Sequence, residues 1–349
     1  MVILLEYINE VTINEAIIHV LDNSSEGVVF NEVELELNEE TYEYILKHIQ
    51  KCLKDEELKY AVFNVERNLA KELSQEYLDG KSDIVSVSKE LASQLFVIMK
   101  SNGNIPSCDL LTAAITTEYG RMLVVLKMDY VKNYTHNIDV VDDKVEINII
   151  PQFIGLPSSG QKIQKCAFIK PIREENNFDL MVIDKNSGKK DEDEYGSNYF
   201  INNYLGCKII NNERDLTKTF VKSAEKWTQK NLKDNADAAE LVRTSIKKRL
   251  KEDDSININE VSDEIFGENK EAKDNFVEFI KKQGIEEKIE LDKQWVENKM
   301  KRTRLKIDKD IDLYINEETY NDSSRFEIKR NGDGTINMII KQVRNYVEK

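Results

Sequence analysis

The chain has 349 residues, 40% hydrophobic and 33% charged, with 65 acidic against 50 basic side chains and a formal net charge of −15. At roughly 150 residues per domain this length predicts two domains. The even spread of Ile, Leu, Val, Phe and Tyr excludes a chain disordered throughout. The longest apolar runs, Leu123 to Leu126 and Phe96 to Met99, are far too short to span a bilayer, so no membrane association is expected. Glu6 and Glu10 stand where a secretory leader needs a basic start and an apolar run, which argues against export. Cys52, Cys108, Cys166 and Cys207 are scattered without a CxxC pair, as in a reduced cytoplasmic protein.

A charge of −15 is unfavourable for a nucleic-acid partner, because phosphate contacts need concentrated Lys and Arg. The charge is graded, however. Residues 1–100 sum to −11, residues 101–200 to −4 and residues 201–349 to zero. The last third is neutral but clustered.

In chain order, Ala16 to Leu21 reads as a strand. Val28 to Leu37 alternates Val33, Leu35 and Leu37 with Glu32, Glu34 and Glu36, which predicts a half-buried strand with an acidic outer face. Asn38 caps a predicted helix to Leu53 with Tyr42, Ile45, Ile49 and Leu53 on one stripe and His48 at its edge. Further helices are predicted over about Glu66 to Leu78 and Ile84 to Lys100. Asp109 to Thr117 and Arg121 to Tyr130 form a hairpin through Glu118-Tyr119-Gly120. Strands follow at Lys144 to Ile150, Lys165 to Ile169 and Leu180 to Ile183. After these come a charge-dense loop over 185–196 and a short helix over Asn198 to Leu205.

Beyond residue 212 the pattern turns helical: Leu216 to Asn231, Ala236 to Lys251, Asn259 to Phe266 and Glu271 to Gln283, each entered through Asn, Asp or Ser. The tail is β again. Leu305 to Ile315 alternates, and Arg325 to Arg330 and Thr335 to Lys341 flank Asn331-Gly332-Asp333-Gly334, whose glycines supply the positive φ of a tight turn. The expected class is α+β: a mixed, acidic N-terminal domain (1–210) with antiparallel hairpins, then a helical C-terminal region (211–349) ending in a small antiparallel β unit.

Motifs for catalysis are weak. Gly155-Leu-Pro-Ser-Ser-Gly160-Gln-Lys162 imitates a phosphate-binding loop, but Gln161 displaces the lysine and a strand follows instead of a helix. Asp179 and Asp184-Lys185 echo the carboxylate and lysine set of metal-dependent nucleases, without the usual spacing. His19, His48 and His136 share no metal-ligand spacing. No GxSxG elbow or Cys–His pairing nominates a nucleophile. No catalytic residue, metal ligand or cofactor is predicted.

The basic clusters carry more information. Arg243, Lys247 and Lys251 recur at helical spacing beside Lys248 and Arg249, next to an apolar stripe of Val242, Ile246 and Leu250. Such a helix could pack while presenting a cationic ridge to a phosphate backbone. A second cluster, Lys299, Lys301, Arg302, Arg304 and Lys306, opens the C-terminal β region after Trp295.

With these elements laid out, the chain resembles the 37-kilodalton nucleoid-associated protein family of bacteria (the NdpA type). The resemblance is carried by INEAIIHVLDN and ELELNEE near the start and by IPSCDLLTAAITTEYGRMLVVLKMDY at 105–130, with Cys108 where a glycine is expected. IQKCAFIK, FDLMVIDKNSG, YFINNYLGCKII, LDKQWVENKMKRTRLKIDKDIDLYI and NGDGTINMIIKQV continue it in order over essentially the whole chain. The resemblance implies a cytoplasmic, nucleoid-located protein that binds DNA and has no established enzymatic activity. Joined to the charge pattern, it gives an expectation of weak double-stranded DNA binding without strong sequence preference, through Arg243, Lys247, Lys248, Arg249, Lys251, Lys301, Arg302, Arg304 and Lys306. The acidic half is left for a protein partner or homo-oligomer. Two rivals stand: recruitment to the nucleoid through a protein docked on Glu32, Glu34 and Glu36, and a metal-dependent nuclease built on Asp179 and Asp184.

Overall fold

Strands apolar on both faces have to be covered from both sides, and such strands build the centre of the first of two units, Glu6–Ile210. The computed structural model describes residues 5–66, 68–158, 160–185, 198–308, 310–345 and 347. The first unit contains β1 (Val11–Leu21), α1 (Glu39–Leu53), β2 (Lys59–Phe63), α2 (Leu69–Leu78), α3 (Ile84–Ser101), β3 (Cys108–Thr117) and β4 (Gly120–Asp129). It continues through β5 (Val131–Val141), β6 (Lys144–Ile154), β7 (Lys165–Ile169), β8 (Leu180–Asp184), a six-residue π-helical turn (Phe200–Leu205) and β9 (Cys207–Ile210). Seven of these strands form one antiparallel sheet in the order β1-β3-β4-β7-β8-β2-β9, whereas β5 and β6 pair only with each other.

Helices α2 and α3 and the π-helical turn pack on one face of the sheet, where Leu91, Leu95 and Met99 meet Leu123, Val125, Ala167 and Val182. On the other face Cys52 of α1 lies against Cys166 of β7. All four cysteines are buried and free. Asn38, Asn68 and Asp83 cap the three helices, each side-chain oxygen accepting a hydrogen bond from a first-turn N–H. Two lysines are buried in the sheet. Lys127 pairs with Asp129 and donates to the Pro106 carbonyl at 3.2 Å, and Lys165 pairs with Asp184 under the rings of Tyr199 and Phe200. Burial holds the Lys165 ammonium below its ordinary pKa, against the pull of Asp184.

The second unit, Asn211–Lys349 with Leu5, contains α4 (Glu213–Asn231), α5 (Ala236–Glu252), β10 (Ser255–Asn257), α6 (Ile258–Phe266), α7 (Lys270–Lys281), β11 (Lys288–Glu290) and α8 (Lys293–Met300). Asn212, Asn235, Asn257 and Asn269 cap α4 to α7. Their core gathers around Trp227, whose ring lies 5.1 Å from Phe266 and 5.3 Å from Phe276, centroid to centroid. Two hairpins joined by a short helix finish the chain: β12 (Arg302–Ile307) with β13 (Ile311–Asn316), α9 (Glu317–Asn321), then β14 (Phe326–Arg330) with β15 (Ile336–Ile340). In the last turn Gly332 and Gly334 adopt φ of 80° and 91°. The Gly334 carbonyl accepts from Ala236 N at 2.8 Å, which docks the turn on the start of α5.

The structure corrects several sequence expectations. Val28 to Leu37 is not a strand. Val29 bridges to Val20 and Leu35 N donates to the Ala16 carbonyl at 2.8 Å, but between them Asn31 N donates to the His19 ring instead of continuing a ladder, and Val33 remains 67% exposed. Period-two alternation marks a strand only where something covers the apolar side, and nothing among the described residues covers Val33. His48 is buried rather than at the helix edge, its Nε2 3.2 Å from the Pro157 carbonyl and its ring against Tyr44. The second helix starts at Leu69 because Asn68 caps it. Leu305 to Ile315 is two strands, broken at a turn where Asp308 takes φ 48°. β2, β5, β9, β10, β11, α8 and α9 were not anticipated, and the charged loop lies, but for Lys185, outside the described residues.

Two outcomes follow from the buried groups. Asp184→Asn leaves the Lys165 ammonium without its carboxylate and is expected to cost about 3–5 kcal/mol in urea unfolding, with much of the loss recovered when Lys165→Met is added. An unchanged midpoint in the single variant would show that the pair is not formed. His19 is fully buried, and burial followed by Lys89 lowers its pKa from 6.5 to about 4. Between those values the unfolded chain binds a proton that the native chain refuses. Stability therefore falls as pH drops from 6.5 towards 4, with nothing lost above 6.5. Unfolding midpoints measured between pH 7 and 5 should decline more steeply for wild type than for His19→Gln.

Candidate nucleic-acid interface

Helix α5 buries Ala239, Val242, Ile246 and Leu250 and turns its cations outward, as an amphipathic helix must. Most of those cations are already engaged. Arg243 forms a two-pronged pair with Glu225 at 2.8 and 2.9 Å. Arg249 donates to Glu264 at 2.6 Å and to Asp253 at 3.1 Å, and Lys251 pairs with Glu317 of α9. Lys247 lies 4.4 Å above the Tyr320 ring of α9, and burial, then Lys251 and Arg243, hold its pKa below the usual lysine value. Among the described residues Lys248 is exposed and carries no carboxylate partner. The helix is thus a hub for the second unit more than a free cationic ridge, since Arg330 of β14 also pairs with Asp237 and Glu240.

The second cluster is arranged differently. Along β12, Arg302, Arg304 and Lys306 are exposed while Thr303, Leu305 and Ile307 turn inward. The pleat therefore gathers three cations on one solvent face. Their cross-strand neighbours are Asn316, Tyr314 and Asp312. Arg304 stacks 5.2 Å from the Tyr314 ring and reaches Asp312 at 3.3 Å, an exposed pair of small energetic weight. Arg302 and Lys306 have no carboxylate partner among the described residues. Lys301 donates to Asn298 at 2.8 Å, and Lys299 is exposed near the end of α8. Trp295 packs against the helical core, with Lys218 beside it. The hairpin and α5 belong to one unit and are joined through α9, whose Glu317 N donates to the Lys301 carbonyl. Tyr314 was not anticipated as part of this face. Its signal was the pairing register, which a single sequence does not show.

The other motifs serve structure. Asp179 accepts from Phe63 N at 2.8 Å and bridges to Ala61 through its own N–H, while Lys185 pairs with Asp55 at 2.7 Å. Asp179 and Asp184 flank and end one extended strand, about 16 Å apart at the usual rise, so they do not converge on an ion. Among the described residues no group of three or more His, Cys, Asp or Glu is placed to hold a metal. The glycine-rich loop leads into β7, and a Cβ at Gly155 would collide with the Tyr130 ring and the Asp109 carboxylate. That glycine is required by close packing. An open groove of about 670 Å³ beside α6 and α7 is lined by ordinary surface groups, among them Lys273 paired with Asp263. Among the described residues no helix is long and apolar enough to cross a membrane.

Compared with known proteins, residues 17–348 match the model of one family, NA37, described as nucleoid-associated protein YejK. No curated protein matches the chain.

The division of labour on α5 can be measured. Arg249→Ala is expected to lower the unfolding free energy by about 1 kcal/mol through loss of two carboxylate partners. Lys248→Ala should leave it within about 0.5 kcal/mol of wild type. Equal effects in chemical denaturation would mean that the ion pairs do not persist in solution.

Proposed function

We propose that this chain, which belongs to the nucleoid-associated protein YejK family, binds double-stranded DNA directly, weakly and without base preference. The contact face is the exposed side of β12. One observation carries the reading: the pleat gathers Arg302, Arg304 and Lys306 on one solvent face, and among the described residues only Arg304 of the three meets a carboxylate there. Lys299, Lys301 and Lys248 extend the cationic surface of the same unit. The pairs on Arg243, Arg249 and Lys251 reduce what α5 can offer to phosphate, because each would have to exchange a carboxylate for it. No helix is read as entering a groove, so the contacts are to the backbone and carry no sequence information. The role is non-enzymatic and placed in the cytoplasm, at the nucleoid.

Counterion release supplies the test. Each neutralised phosphate contributes about −0.9 to the slope of log affinity against log salt. Three contacts correspond to a loss of roughly 40-fold between 50 and 200 mM salt on the same relation. In fluorescence anisotropy with a labelled duplex, the triple variant Arg302→Ala, Arg304→Ala, Lys306→Ala should reduce the slope by about 3, and Arg243→Ala by less than 1. Absence of binding at low salt, or a triple variant that binds like wild type, would sink the proposal. The exposed Glu32, Glu34 and Glu36 favour one second reading, recruitment by a basic protein partner. It would take over if association with nucleoid proteins survived nuclease digestion while the purified chain ignored DNA.

A further inference from the structure

The cations of α5 have partners of two kinds. Arg243 and Arg249 meet Glu225 of α4 and Glu264 of α6, helices of 19 and 9 residues seated in the core of the unit. Lys247 and Lys251 are covered by α9 instead. Glu317 pairs with Lys251, and the Tyr320 ring lies 4.4 Å from the Lys247 ammonium. The two lysines are i, i+4 neighbours on one face, with the exposed Lys248 at its edge. Were α9 withdrawn, all three would form one cationic patch.

The cover is held loosely. α9 has five residues, none of them buried, and among the described α-helices it alone starts without a side-chain cap. A helix of that length does not persist by itself, so its contacts keep it in place. Its Glu317 N donates to the Lys301 carbonyl at 3.1 Å, and Tyr320 stacks on Phe326 with centroids 5.5 Å apart. The Lys251–Glu317 pair is 38% and 35% exposed, so solvent screens it and its weight is small. Lys247 is crowded under the cover. Burial first, then Lys251 and Arg243 one turn away on either side, disfavour its charged form. An extended anion along this face would relieve that repulsion, which one carboxylate and a neutral ring do only in part.

We propose that α9 is a latch over a second phosphate-binding surface: Glu317 and Tyr320 occupy the places that a DNA backbone takes on Lys251 and Lys247 once it displaces them. The proposal rests on the reading above that the ligand is duplex DNA. Lysines suit the role, since each meets a phosphate as a point charge and reads no base. Glu318, exposed on the same helix, adds a charge that phosphate repels. Arg243 and Arg249 keep their carboxylates throughout.

The test measures duplex binding by the full chain in fluorescence anisotropy. Lys247→Gln with Lys251→Gln, which keeps most of each stem, should reduce the salt slope by about 2, at about 0.9 for each lost phosphate contact. Opening the latch with Glu317→Gln and Tyr320→Leu should tighten binding roughly tenfold, because two weak contacts no longer have to be broken first. Glu318→Gln removes the same charge from the same helix and should tighten it less than about twofold. Tyr320→Phe keeps the ring and should bind like wild type. Far-ultraviolet circular dichroism confirms that each variant is folded. In hydrogen exchange, the amides of residues 317–321 should exchange faster when DNA is added to wild type. A double-lysine variant that keeps the wild-type slope overturns the proposal. So does equal tightening by Glu318→Gln, or α9 amides that exchange no faster with DNA. The two surfaces fail separately. If the β12 triple variant loses its slope and the double-lysine variant does not, the latch falls and the β12 reading stands; the reverse pattern overturns β12 and supports the latch. If neither wild type nor the latch variant binds at low salt, both are overturned.

Discussion

Successive side chains on a strand point to opposite faces, and each surface of interest in this molecule is a consequence of what the chain places on those two sides. In β3, β4, β7 and β8 both sides are apolar, so the strands are buried between helices and form the frame. In β12 one side is apolar and the other cationic, so packing of Thr303, Leu305 and Ile307 forces Arg302, Arg304 and Lys306 into solvent together. In the β5–β6 ribbon the side that carries Tyr134, Ile138, Ile147 and Ile149 is apolar and exposed, with no described residue covering it. The same pleat thus yields a core, a candidate phosphate contact and an exposed apolar ribbon.

How much of this was legible from the residues depended on whether the signal was local. Helix starts were readable where an Asn side chain satisfies the exposed N–H groups of its own first turn, as Asn38 and Asn235 do, whereas α4 begins at Glu213, behind Asn212 and ahead of the predicted Leu216. The NGDG turn was readable because Gly332 and Gly334 themselves take the positive φ that the turn needs. What failed needed a partner. The acidic alternation of 28–37 looks like a strand in isolation, but its contacts with β1 stop at the Val20–Val29 bridge and one hydrogen bond from Leu35 N to the Ala16 carbonyl, too few for a ladder. The reading of α5 as a ridge was right about which face is cationic. It could not see that Glu225, Glu264 and Glu317, from α4, α6 and α9, are folded back onto that face. β12 could have been separated from the rest of its cluster by a period-two count over Arg302 to Ile307, but the aromatic neighbour Tyr314 depends on register.

Net charge illustrates the same point at a larger scale. A total of −15 says little about binding, because what phosphate meets is local. In residues 201–349 acids and bases balance, yet the balance on α5 is made by pairs and on β12 by separation. Paired cations stabilise the unit, and cations left without acids remain free to release counterions on binding. Two clusters of similar composition therefore support different roles.

A face of three cations with Lys248, Lys299 and Lys301 near it in sequence or fold can neutralise only a handful of phosphates, so a single chain would hold DNA weakly at physiological salt. Within such a face Arg302 and Lys306, unpaired among the described residues, give up nothing to meet a phosphate, whereas Arg243, Arg249 and Lys251 each forfeit a carboxylate first.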